Sequence, residues 1–353
     1  MRNCGRGGTF LAIVLFAAGC RAAEPAGALS LERIGAIAGP DGEPGYSAFV
    51  AVGPLLADGR RIAYLPDTPG ETPWIIDRSG HPTGRLGPTG DGPGEFRRVT
   101  AVLRGAGDSI FLFDDHRVHV LSPTLELVRS IPSPVRSTSY PSQLAGGKLA
   151  LPTRTSGSKA SVTVISAVDG ALLWTVPADS FAPGSFPDLR VTASAPDGSL
   201  WTARVMRRLE FHHYSPDGVL LETRLPETSW FTPYDRYQPP TRSAPTSPLL
   251  RSFWVDSAGR AWVVAQVADL NWAKAEGEDR QGEGGLQYFE PKSVASVRDG
   301  LIDIIDLGSG KSLGSYRRDG LITSAAEFGT VTSTETNDEG WTLVELYRIV
   351  TRF

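Results

Sequence analysis

The stretch GPTGDGPGEF, Gly87 to Phe96, decides how the chain is read. Its four glycines and two prolines suit either a glycine-rich cradle for a phosphate or a recurring piece of architecture. A phosphate cradle needs its glycines to open a helix, so that aligned N–H groups face the anion. Here strand patterns flank both sides: PWIIDRSGHPTGRLG (residues 73–87) and DSIFLFDDHRVHVLSP (residues 108–123). The stretch also has a degenerate copy, GPDGEPGY at 39–46, in which Gly45 precedes Gly94 by 49 residues. The architectural reading is therefore preferred, with Phe96 expected to wedge between repeated units. GSGKS at 308–312 ends like a P-loop but has Ile305 where the leading glycine is required. It lies between two strand patterns and reads as a hairpin turn.

The repeat can be followed along the whole chain. A turn ending in glycine followed by an apolar strand recurs as ADGRRIAYL at Gly59, GAGDSIFLF at Gly107 and AGGKLAL at Gly147. It returns as PDGSLWTA at Gly198, SAGRAWVVA at Gly259 and FGTVTSTET at Gly329. The glycine supplies the positive φ of a tight hairpin, and β-branched or aromatic residues follow at period two. After each copy comes a strand–turn–strand unit, such as RVHVLSPTLELVRSI or SVTVISAVDGALLWTV. Each unit then holds about four antiparallel strands, and units of this size are the signature of propeller blades. The expected fold is all-β, a six-bladed β-propeller of four-stranded antiparallel blades. The final segment, WTLVELYRIV, lacks a fourth strand, and LSLERIG near the start supplies one. Pairing these two segments closes the ring with strands from both ends.

The ends also bear on location. Arg2 and Arg6 precede the apolar run TFLAIVLFAAG, which is too short to span a bilayer as a helix. It ends in AAGC, a pattern that resembles a bacterial lipoprotein signal with Cys20 as the lipidated residue. The expected organisation is a signal peptide over 1–20, a linker over 21–27 and one propeller over 28–353. Insertions are expected near 228–250 and 269–297. Arg21 in place of aspartate suggests retention at an outer membrane, with the chain facing the periplasm or the cell surface. The only other cysteine is Cys4, inside the leader, so the mature chain has neither a disulfide nor a thiol nucleophile. Without the two leader arginines, 33 basic residues face 39 acidic ones, a net of -6 with no basic run. Nucleic acid is an unsuitable partner for such a surface.

GDGPGEF followed by DSIFLFDDHRVHVLSP, behind that leader, resembles the six-bladed β-propeller lipoproteins related to NHL-repeat proteins. The resemblance implies a fold and an envelope location, and little about activity. Some six-bladed relatives are metal-dependent lactonases and esterases, which would call for Glu, Asn and Asp ligands on inner strands. The asparagines available after the leader are Asn271, in a polar insertion, and Asn337, in a TNDEG turn. No HExxH, GxSxG or cysteine–histidine cluster is present. His116 and His119 point to opposite faces of one strand, as do His212 and His213. Each of the five histidines, His81 included, reads as structural or solvated. Asp114 and Asp115 are weak candidates for a metal, and turn capping is the preferred role for them. No cofactor is expected.

The segment TSWFTPYDRYQPPTRSAPTSPLLR, residues 228–251, offers more to a partner. Trp230, Phe231, Tyr234 and Tyr237 give rigid contact area, and Arg236, Arg242 and Arg251 give charge. Arg154 and Arg204 follow the second strands of blades three and four and are expected near the same mouth of the channel. The alternative is that the aromatics pack on their own blade. The second insertion, polar and glycine-rich in its middle, is expected to be mobile rather than structured. The function these features favour is a non-catalytic binding module of the cell envelope. It would present its channel mouth to a peptide, a glycan or an envelope protein and touch the membrane only through lipid. The alternative is a metal-dependent hydrolase or lyase with its site in the central channel.

Overall fold

The computed structural model describes residues 28–352 except 41–42, 44, 47–48, 136–140, 154–158, 180–187, 236–238, 282–286 and 338. The first strand, β1 (Ala28–Ile37), is set aside by the chain until the end. Blade 1 then follows as β2 (Ala51–Val52), β3 (Arg61–Tyr64), β4 (Trp74–Ile76) and β5 (Pro82–Arg85). Blade 2 is β6 (Ala101–Arg104), β7 (Ile110–Asp114), β8 (Arg117–Leu121) and β9 (Leu127–Pro132). Blade 3 is β10 (Ser142–Leu144), β11 (Lys148–Pro152), β12 (Ala160–Ser166) and β13 (Leu172–Pro177). Blade 4 is β14 (Arg190–Ser194), β15 (Leu200–Arg204), β16 (Phe211–Tyr214) and β17 (Leu220–Arg224). Blade 5 is β18 (Leu249–Val255), β19 (Arg260–Ala268), β22 (Arg298–Asp306) and β23 (Ser312–Arg318). Between its second and third strands lies a separate hairpin, β20 (Gly277–Gln281) and β21 (Gln287–Pro291). Blade 6 is β24 (Leu321–Glu327), β25 (Thr330–Thr336) and β26 (Thr342–Arg352), completed on the outside by β1. The protein is a six-bladed β-propeller.

Closure occurs between the two ends of the chain. β1 pairs antiparallel with β26 from Ala28↔Arg352 to Ile37↔Val344. The glycines that open the second strands, at 59, 107, 147, 198, 259 and 329, all have positive φ between 66° and 86°. Each sits in the turn joining the first two strands of a blade, where a left-handed residue keeps the hairpin tight. GSGKS forms the β22–β23 turn, in which the Gly310 N–H donates to the Asp306 carbonyl at 2.7 Å.

The apolar residues divide into one cluster per blade interface, and this explains the strand patterns. In β7, Ile110 and Leu112 pack towards blade 1, while Phe111 and Phe113 pack towards blade 3. In β19, Ala261, Val263 and Ala265 face blade 4, while Trp262 and Val264 face blade 6. The period of two therefore chooses which neighbour a residue touches, because both faces of a middle strand are covered. Outer strands lose one of those covers. In β9 only Ile131 is buried, and β17 has no buried residue.

The opening stretch connects blade 1 to blade 2. Phe96 is 2% exposed and lies in the cluster between those blades, with its ring edge-on to His119 at 5.0 Å. Burying such a ring contributes about 2–3 kcal/mol. Gly94 takes φ +76°, a conformation that side chains rarely adopt. The loop supplies its own anion: the Glu95 carboxylate accepts the Gly92 N–H at 2.7 Å. At the degenerate copy, Tyr46 fills the equivalent place between blades 6 and 1, edge-on to Trp74 at 5.4 Å. Its backbone exchanges hydrogen bonds with Thr342.

Candidate functional site

Second strands end, and innermost strands begin, at the same end of each blade. The long connections 225–248 and 269–297 belong to that end, as do Asp114, Asp115 and Arg204. Arg154, Arg236, Tyr237 and Cys20 lie outside the described residues.

Asp114 is held by the blade-to-blade loop. Its carboxylate accepts the backbone N–H groups of Arg97 at 3.1 Å, Arg98 at 2.9 Å and Asp115 at 2.8 Å. Burial opposes its ionisation, but the adjacent His119 ring and these N–H groups outweigh it and bring its pKa to about 2. Asp115 is bound by the Arg98 guanidinium. Asp114 therefore caps the backbone just after the Gly87–Phe96 loop, and Asp115 holds the same segment through an ion pair.

Two of the expected ligand-binding side chains, Trp230 and Arg242, are engaged in contacts within the protein. The Trp230 Nε1–H donates to Asp303 Oδ2 at 2.7 Å, and burial raises the pKa of that aspartate. Beside it Phe231 is buried in the cluster between blades 4 and 5, as Phe96 is between blades 1 and 2. Arg242 donates to the carbonyls of Ala275 (3.1 Å) and Gly277 (3.0 Å) and covers the Phe289 ring at 3.9 Å. It thereby ties the 225–248 connection to the β20–β21 hairpin. The described part of the second insertion is consequently structured, contrary to expectation. Its Trp272, Ala275, Phe289 and Val297 form a small core of their own, which the polar composition around them conceals.

Arg204 and Tyr234 do meet. They line a cavity of about 360 Å³ with Asp179, Arg207, Arg208, Glu210, Pro233 and Asp235. Tyr234 is fixed on three sides. Its N–H donates to the Arg207 carbonyl at 2.9 Å, its hydroxyl donates to the Pro248 carbonyl at 2.9 Å, and its ring stacks on Phe231 at 6.1 Å.

Beneath the cavity lies a buried ionic network. Arg190 and Arg204 are directly opposed across β14 and β15, and like charges so placed repel. Asp188 lies between them, accepting Arg190 Nε at 3.0 Å and Arg204 Nη1 at 3.1 Å. Arg204 also engages Asp179 and Glu210. Arg190 Nη1 contacts His212 Nδ1 at 2.9 Å, and His212 Nε2 contacts Glu210 Oε1 at 2.7 Å. A guanidinium only donates, so Nδ1 accepts and the proton resides on Nε2. Burial keeps the His212 pKa below its usual value, and Arg190 adds to this against the pull of Glu210. His212 is therefore a neutral bridge. The charges in the floor of the cavity are paired with one another.

His213 and His119 have structural partners, and His81 and His116 are exposed. His213 stacks on Trp201 at 4.3 Å, and His119 is fully buried with Nδ1 2.9 Å from Ser130 Oγ. Asn337 caps its own turn through the N–H groups of Glu339 and Trp341, and Asn271 precedes a short 3-10 turn. Neither asparagine is on an inner strand. Asp188, Arg190 and Glu210 escaped the sequence reading, which took His212 as structural or solvated without its partners. The available signal was a pair of arginines, 190 at the start of one strand and 204 at the end of the next, in strands that must lie side by side.

No protein-family model matches the chain, and no curated protein matches it. Solved structures do. A member of the DUF4221 family from Bacteroides vulgatus aligns over 92% of this chain and 99% of its own, at 12% identity and TM-score 0.58. A protein of unknown function from Bacteroides thetaiotaomicron aligns over 92% of this chain and 76% of its own, at 9% identity and TM-score 0.53. A Bacteroides fragilis protein described as a candidate exported protein covers 91% of this chain and 95% of its own, at 12% identity and TM-score 0.51. At these identities the likeness is one of fold.

Proposed function

We propose that the protein is an exported, non-catalytic binding protein that takes a peptide segment of an envelope protein into the Arg204–Tyr234 cavity. The observation that carries this reading is the origin of the cavity walls. The 225–248 connection is far longer than a blade junction needs, and its surplus rises over the ionic floor to form the Pro233–Asp235 side. Rim residues of both signs, Arg207, Arg208 and Asp235, suit a chain that carries amides and mixed charge. A pre-formed floor lowers the ordering cost of binding.

The leader supports export, with lipid attached at Cys20 and retention at an outer membrane. The candidate exported neighbour from Bacteroides fragilis fits that location. No helix among the described residues is long and apolar enough to cross a membrane. Ala28 pairs at the end of β26 away from the 337–341 turn, so a tether before it would turn the cavity away from the membrane. Kinship with NHL-repeat lipoproteins belongs to the same proposal.

Peptide and glycan arrays probed with the wild type, Tyr234→Ala and Arg208→Glu test the reading. Binding to a peptide subset that both variants lose supports it. Binding confined to glycans, or unchanged in both variants, contradicts it.

A further inference from the structure

We propose that Asp269, Asp299 and Asp319 form a calcium site at the base of the 269–297 insertion. One carboxylate oxygen from each lies within 4.8 Å of the other two. Calcium binds oxygens at about 2.3–2.6 Å, so two ligands of one ion stand at most about 5 Å apart. The three side chains come from three segments. Asp269 follows β19 and opens the insertion, Asp299 lies in β22 just after it, and Asp319 lies in the turn between β23 and β24. Backbone bonds hold these segments together: the Asp269 N–H donates to the Val297 carbonyl at 3.0 Å, and the Gly300 N–H donates to the Gly320 carbonyl at 2.7 Å.

The second observation is an orphaned atom. Asp299 is 4% exposed, and Arg317 Nε donates to its Oδ2 at 2.5 Å. Its Oδ1 receives no hydrogen bond among the described residues. A buried carboxylate oxygen without a donor is costly, and two further carboxylates beside it raise that cost. One guanidinium against three carboxylates leaves a local excess of negative charge that a divalent cation removes. The donor set is oxygen alone, which suits a hard cation and not zinc. Bound calcium would join both ends of the insertion to the start of blade 6. Through Arg242 and Phe289 it would also steady the neighbouring 225–248 connection.

The test uses purified protein stripped with EDTA, followed by calorimetric titration with calcium chloride and by thermal melting at pH 7.5. Wild type is expected to bind one calcium per chain and to melt several degrees higher, with magnesium giving a much smaller rise. Asp319 is exposed, so Asp319→Asn is expected to melt like wild type in EDTA and to lose the calcium response. Absence of calcium binding by wild type, or a full response in Asp319→Asn, overturns the proposal. So does stability that rises as the pH falls from 7 to 5 with no effect of calcium, the mark of a protonated Asp299.

Discussion

Two connections between blades do the same job with very different lengths of chain. The 86–100 segment joins blades 1 and 2, and the 225–248 segment joins blades 4 and 5. Each places one phenylalanine, Phe96 or Phe231, in the apolar cluster between its blades. The shorter segment spends everything it has on that joint. Glu95 caps its backbone from within, and Asp114 caps it from blade 2. The longer one makes the joint with Trp230 and Phe231, and the rest of it builds a cavity wall. Closing a propeller thus requires a wedge and a capped turn, and chain beyond that minimum is free to serve a ligand.

The comparison can be broken at several points, in falling order of effect. Ring closure underlies both joints. Deleting residues 28–36 removes the outer strand of blade 6 and is expected to abolish the cooperative thermal transition; a mutant that melts like wild type would refute closure by β1. Next come the wedges. Phe96→Ala and Phe231→Ala should each cost about 3–5 kcal/mol in denaturant unfolding. Only Phe231→Ala should also weaken peptide binding, because Tyr234 stacks on that ring.

The caps contribute less. The Asp114 pKa, about 2 when folded, lies below the ordinary 3.8. Its stabilisation is complete above the unfolded value and is lost as the pH falls through the folded one. The gap corresponds to about 2 kcal/mol. Asp114→Asn should be less stable than wild type by about that amount at pH 7, and the two melting curves should converge near pH 2. The smallest effect is expected on the cavity rim. Arg208→Glu should change stability by no more than about 0.5 kcal/mol while abolishing binding, which separates the rim from the joint.

The same contrast governs what could be read from the sequence. The joint at Phe96 was legible because its determinants are local: glycines, a proline and an aromatic within ten residues, repeated one blade earlier. The six hairpin glycines and the unpaired last strand were legible for the same reason. The roles of Trp230 and Arg242 were not, because their partners, Asp303 and the Ala275–Gly277 backbone, are distant in sequence. Arg204 was singled out for its place at a strand end. The network that joins it to Asp188, Arg190 and His212 becomes visible only when β14, β15 and β16 are set in register. The hairpin inside 269–297 was concealed by polar residues around a core of four side chains.

The most direct test of the central claim compares the two ends of the ring in the native envelope. A photo-crosslinking residue would be placed at Asp235, on the cavity rim, and separately at Ala106, in the β6–β7 turn at the other end. A discrete adduct is expected from position 235, none from position 106, together with binding of the adducted peptide segment to the purified protein. Adducts from position 106 alone, or equal and unselective labelling at both, would contradict the claim.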